Sequence, residues 1–135
     1  MHHVFLGGVC SETTWREELK PLLTCSYFDP VVSEWTDEDK AKEIQERATC
    51  NYVLYVLTPR MSGIYSLAEL IDDSNKRSKQ TLFVILKEDI NDEGKRIVFI
   101  PEFKSSLDAI AELAVSNGAL QFDSLQSVAN FLNNN

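Results

Sequence analysis

Histidine is nearly absent from this chain, occurring only as His2 and His3. No Ser/His/Asp relay and no clustered metal-ligand set can be read from residues so placed, and neither a metal nor a cofactor is expected. The dinucleotide fingerprint G-x-G-x-x-G is also missing; Gly7 and Gly8 stand as an adjacent pair instead. The three cysteines, Cys10, Cys25 and Cys50, are widely spaced, with no histidine clustered among them. They predict free thiols in a reducing compartment rather than a disulfide scaffold. No apolar stretch approaches the roughly 18 to 20 residues of a membrane span. MHHVFLGG lacks the basic region and long apolar segment of a secretory signal, so a cytoplasmic location is expected. Basic residues are the minority, 13 against 21 acidic ones, for a net charge of -8. That balance argues against a general nucleic-acid groove, which needs Lys and Arg to neutralise phosphates. A small anionic ligand held by backbone amides and helix ends remains compatible with it.

The 135 residues contain no internal repeat and no hinge, and 44% of them are apolar. One domain spanning 1–135 is expected. Dense apolar runs at 52–57 and 81–86 predict buried strands, with shorter strands at 3–6, 26–28 and 119–122. Helices are predicted over 15–23 and 40–48, after Asn51–Leu57 around Leu67, Leu70 and Ile71, from Leu107 to about Asn117-Gly118, and over 124–132. Thr14/Glu17 and Thr36/Asp39 have the spacing of capping boxes, and residues 133–135 should fray. Residues 87–95 read as a charged loop covering one side of a site, and 96–100 as a possible extension of a sheet edge, limited by Pro101. Strands alternating with helices imply an α/β fold: a doubly wound, flavodoxin-like, mostly parallel five-stranded sheet with helices on both faces. The strand order 2-1-3-4-5 follows by analogy with such folds.

The stretch NYVLYVLTPRMSGIYSLAELIDD, residues 51–73, passes from a buried strand through a Pro/Ser/Gly break into a helix. Open α/β sheets present ligand-binding groups at that kind of switch. Glu69 falls on the first helical turn by this reading. A carboxylate there is placed to act on a ligand bound at the sheet edge. Ser66-x-x-Glu69 is equally the spacing of a capping box, which would fold the same carboxylate back on its own helix. Other residues divide in the same way. Gly7 and Gly8 either expose amides to a ligand or simply permit a turn. Trp35 and Tyr65 are either stacking surfaces or packing groups, Arg60 is a phosphate contact or a helix-end partner, and Ser62 is a phosphate contact or a turn residue. Asp29 is either an acid turned inward or the cap of the turn at Pro30.

VFLGG, the early Trp15, the FDP segment at 28–30 and the CNYVLYVLTP…SLAEL stretch form an ordered set. Together they resemble the nucleoside 2-deoxyribosyltransferase superfamily, which includes deoxynucleoside 5'-monophosphate N-glycosidases. The similarity covers about the first two-thirds of the chain. It implies a nucleoside or nucleotide substrate, a homo-oligomer, and attack by Glu69 on the anomeric carbon of a 2-deoxyribosyl group. It also implies sugar or phosphate contacts from Gly7, Gly8 and Ser11, and from the Arg60, Ser62 and Gly63 segment. The family position before the third strand is commonly aspartate. Here it is Asn51, which can hydrogen-bond to a base but cannot carry a proton.

Overall fold

Two apolar runs form the middle of the sheet in the computed structural model, which describes residues 2–8, 13–76 and 78–135. They are β3 (Tyr52–Leu57) and β4 (Gln80–Ile85), flanked by β1 (His3–Gly8), β2 (Ser26–Phe28) and β7 (Leu120–Phe122) in the order β2-β1-β3-β4-β7. Every pairing in this sheet is parallel, and the fold is a doubly wound, flavodoxin-like α/β sheet. Phe5, Val53, Tyr55, Leu57, Phe83 and Ile85 turn to one face, while Val4, Leu6, Leu54, Val56, Leu82 and Val84 turn to the other. Burial on both faces is why these strands read as unbroken apolar runs rather than as alternating ones. The first face is covered by α3 (Tyr65–Lys76) and α4 (Pro101–Ser116), through Leu70, Leu107, Ala111 and Ala114. The second is covered by α1 (Trp15–Leu19) and α5 (Leu125–Asn134), through Trp15, Leu19, Val128, Ala129 and Leu132. Between β2 and β3 lies α2 (Asp37–Thr49), on the α3 side of the sheet. No helix among the described residues is long and apolar enough to cross a membrane.

Several expected boundaries move for identifiable reasons. The helix predicted over 15–23 ends at Leu19 and continues as a 3₁₀ turn, Lys20–Leu22, because Pro21 has no amide to extend the ladder. Thr14 caps α1 without a side-chain bond, whereas the Thr36/Asp39 box forms in full and starts α2 at Asp37. In α4, Pro101 takes the first position, where its fixed φ favours a helix, so the helix starts well before Leu107. Gly118, at φ 109, closes it in the left-handed conformation expected there. Residues 133–135 do not all fray: Asn133 donates to the Leu22 carbonyl at 2.8 Å and accepts from the Thr24 amide at 2.8 Å. Residues 87–98 are not a bare loop and do not extend the sheet. They form a separate antiparallel hairpin of β5 (Glu88–Ile90) and β6 (Arg96–Val98). Its turn is closed by Asn91, whose Oδ1 accepts from the Glu93 and Lys95 amides, and by Gly94 at φ 80. Cys25 and Cys50 are free thiols, and burial pushes both above the ordinary thiol pKa. Cys10 lies outside the described residues.

Gly7 is required by its neighbour across the ladder. A Cβ at this position would sit 2.7 Å from Cε1 and 2.9 Å from Cδ1 of Tyr55. That ring is fully buried, and its hydroxyl donates to Asp73 Oδ2 at 2.6 Å, so it has little freedom to yield. Gly7→Ala should therefore lower stability by about 1–3 kcal/mol in urea unfolding. A loss under about 0.5 kcal/mol would show that the ring moves aside.

Candidate functional site

The α2 helix is firmly capped yet buries none of its own residues. Its charge-rich sequence offers only a narrow apolar stripe, and Ile44 on that stripe stays 61% exposed. The helix consequently stands off from α3, leaving a cleft of about 580 Å³ between the two. That volume falls within the range of small-molecule sites. Trp35, just before α2, and Tyr65, at the start of α3, line its end nearest the carboxyl edge of the sheet, and both are exposed. Glu43, Arg47, Glu69 and Asp73 line its length, with Lys76 and Lys79 toward the other end.

One guanidinium ties the two walls together. Arg47 donates from Nε to Asp73 Oδ2 at 3.1 Å and from Nη2 to Asp73 Oδ1 at 3.1 Å. This two-pronged geometry fixes the plane of the guanidinium. Its Nη1 then lies 3.3 Å from Glu69 Oε2, in an ion pair. Asp73 is in turn held from below by the Tyr55 hydroxyl. A chain of contacts thus runs from the buried sheet through Asp73 and Arg47 to Glu69.

The Glu69 side chain is 16% exposed. Burial is the largest influence on it and raises its carboxyl pKa above the ordinary glutamate value. Arg47 works against that shift, while Glu43, Asp73 and Asp72 reinforce it. Burial likewise raises the Glu43 carboxyl. The Tyr55 phenol is pushed far above its usual range, by burial first and then by Asp73, so it acts only as a hydrogen-bond donor.

Among the expected residues, Trp35, Tyr65 and Glu69 meet in this cleft. Glu69 lies on the second turn of α3 rather than the first, because the helix already starts at Tyr65. Ser66 is inside the helix and buried, and its Oγ has no hydrogen-bond partner among the described residues; the Ser66/Glu69 box does not form. The remaining expected residues lie elsewhere. Asn51 precedes β3 at the amino edge, where its Oδ1 accepts from the His3 amide at 2.9 Å. A strand of six residues separates it from the loop leading to α3, roughly 20 Å at the usual rise per residue. Asp29 accepts from the Val31 amide at 2.9 Å and pairs with Lys20 at 2.6 Å. Burial acts against its charge, but Lys20 and the Val31 amide prevail and hold its carboxyl below the ordinary aspartate value.

Gly7 is covered by Tyr55, and Gly8, at φ 108, ends β1. Arg60 is engaged with Asp92 of the hairpin turn at 2.6 Å, while Ser62 and Gly63 are exposed in the loop before α3. The hairpin is pinned to that loop a second time, by Thr58 donating to Asp89. Ser11 lies outside the described residues.

Glu43, Arg47, Tyr55 and Asp73 were not expected from the sequence. For Glu43, Arg47 and Asp73 the signal was present in the i,i+4 pairs Glu43/Arg47 and Glu69/Asp73, each of which shares one helix face. What the spacing leaves open is that these two faces are turned toward each other. Among the described residues, no group of three or more His, Cys, Asp or Glu side chains is placed to hold a metal ion. Comparison with family models, curated proteins and solved structures finds no match to this chain, so the site is argued from its own residues.

Proposed function

We propose that the α2–α3 cleft binds a deoxynucleoside or deoxynucleoside monophosphate, and that Glu69 attacks C1' of its 2-deoxyribosyl group, cleaving the N-glycosidic bond. The observation that carries this reading is the orientation of Glu69. Its carboxylate lines an open cleft and pairs across it with Arg47 instead of capping its own helix. Arg47 supports the ionised form that a nucleophile needs. Trp35 and Tyr65 supply flat apolar faces near one end, suited to stacking a base. Water as acceptor gives hydrolysis, and a second base gives transfer. The resemblance set out above also implies a homo-oligomer, and free thiols at Cys25 and Cys50 support a cytoplasmic location. Exposed Trp35, Ile44 and Ile64 support an apolar surface that another copy would cover.

The test is to incubate the protein with a panel of deoxynucleosides and their 5'-monophosphates, with and without a free acceptor base, and to separate the products by chromatography. Released or exchanged base is the expected result; unchanged substrate at high protein concentration would overturn the reading. A second reading is a sensor that binds the same ligands without turnover. It is supported by the placement of the two expected proton groups, Asn51 at the amino edge and Asp29 in its pair with Lys20, neither of which reaches the cleft, and it predicts saturable binding with no product.

A further inference from the structure

Departure of a base from C1' needs a proton, and neither expected donor brings one to the cleft. Asn51 is an amide at the opposite edge of the sheet, and Asp29 is paired with Lys20 as a carboxylate. From the placement of the remaining carboxyl groups we infer that Glu43 is the general acid of the reaction proposed above, an assignment that rests on Glu69 being its nucleophile.

Glu43 and Glu69 line the same cleft from facing helices. Both helices run from the carboxyl edge toward the amino edge, since each connects parallel strands. Glu43 is six residues past the start of α2 and Glu69 four past the start of α3, or about 9 and 6 Å along their axes. The two residues therefore stand at similar depths along their own helices. Their direct contacts differ, although Arg47 acts on the charge of both. Glu69 is paired with Arg47, whose other nitrogens are committed to Asp73 and approach Asp72 at 3.6 Å. Glu43 is half-buried and makes no hydrogen bond or ion pair among the described residues.

The charge of Glu43 also reaches Glu69 and disfavours its ionisation. Arg47 favours the ionised form of both, but only Glu69 is in direct contact with it, at 3.3 Å. Two neighbouring carboxyls whose surroundings separate them in this way take the roles of nucleophile and acid.

The reaction then balances. An oxygen of Glu69 bonds to C1' as the C1'–N bond breaks, the bonding pair leaves with the base, and the Glu43 proton passes to that base. Water next attacks C1' of the resulting ester while the Glu43 carboxylate takes its proton. The products are free base and 2-deoxyribose or its 5-phosphate, with both side chains restored.

Glu43→Gln and Glu69→Gln, each checked for folding by circular dichroism, separate the roles by leaving-group dependence. The probes are 2'-deoxynucleosides of graded base acidity: uracil with its 5-fluoro and 5-chloro analogues, and guanine with N7-methylguanine, which departs neutral without a proton. Base release is followed in a single turnover, which isolates cleavage of the C1'–N bond from the later hydrolysis that Glu43 also assists. Within whichever base class wild type cleaves, Glu43→Gln should there slow the most basic leaving group by about 10²–10⁴-fold. It should slow the most acidic one, or the N7-methylated one, by less than about tenfold, while Glu69→Gln slows all of them. If wild type is active but Glu43→Gln slows every substrate equally, or none, Glu43 is not the acid and the nucleophile assignment stands. If wild type releases no base from any probe, the reading of Glu69 itself fails and the Glu43 assignment falls with it.

Discussion

Glu69→Gln should lower base release by on the order of 10⁶-fold, the scale seen when an enzyme loses its covalent nucleophile, and yet remain at least as stable as wild type at pH 7. The chemical half follows from Gln having no anionic oxygen to form the ester. The stability half follows from the sign of the Glu69 shift. Burial, only partly opposed by Arg47, raises this carboxyl above its unfolded value, so the folded chain binds the proton more tightly. The resulting stabilisation is complete below the unfolded pKa and is lost as pH rises through the folded one. At pH 7 the wild-type carboxylate therefore carries a net burial cost that the neutral amide avoids. Thermal unfolding between pH 4 and 7 should show wild type losing more stability than Glu69→Gln. Base release within tenfold of wild type would remove Glu69 from the chemistry. A variant markedly less stable at pH 7 would mean that the Arg47 pair outweighs the burial of the charge.

The fold was legible wherever burial writes itself into local composition. Tyr52–Leu57 and Gln80–Ile85 are apolar on both faces, and only central parallel strands require that. The Thr36/Asp39 box and Gly118 marked real helix ends, because both act within a few residues of themselves. The β5–β6 hairpin escaped notice because its strands are short and charged. Its one clear sign was the N-D-E-G turn, at 91–94. The site was half legible. Glu69 stood out through its position after a strand and a loop, but grouping it with Asn51 joined opposite edges of the sheet. Residues adjacent to the same strand in sequence can stand a full strand length apart in space. Arg47 and Asp73 are 26 residues apart, and only the packing of α2 beside α3 brings them together.

Asp73→Ala should cost about 3–5 kcal/mol of unfolding free energy, the scale for removing one member of a buried charge pair. The Asp73 side chain is 4% exposed and receives three hydrogen bonds, one from the Tyr55 hydroxyl and two from Arg47. Alanine would leave a buried phenol and the guanidinium without these acceptors, and would bring Arg47 to rest on Glu69 and Asp72 alone. Tyr55→Phe removes only the donor and should cost about 0.5–1.5 kcal/mol. In the double variant the two losses should sum to less than their separate values, since the phenol is no longer stranded. The damage should also be uneven along the chain. Because α2 buries none of its residues, its attachment rests on polar contacts, Arg47 gripping Asp73 and Glu46 meeting His3 at 2.8 Å, whereas α5 is anchored by Val128, Ala129 and Leu132. Hydrogen exchange in Asp73→Ala should accelerate across α2 by more than the global loss of stability accounts for, with α5 amides following global unfolding. If α2 and α5 accelerate by the same factor, the latch is not what holds the outer wall of the cleft. If total stability falls by less than about 1 kcal/mol, the buried network is not a network in the energetic sense.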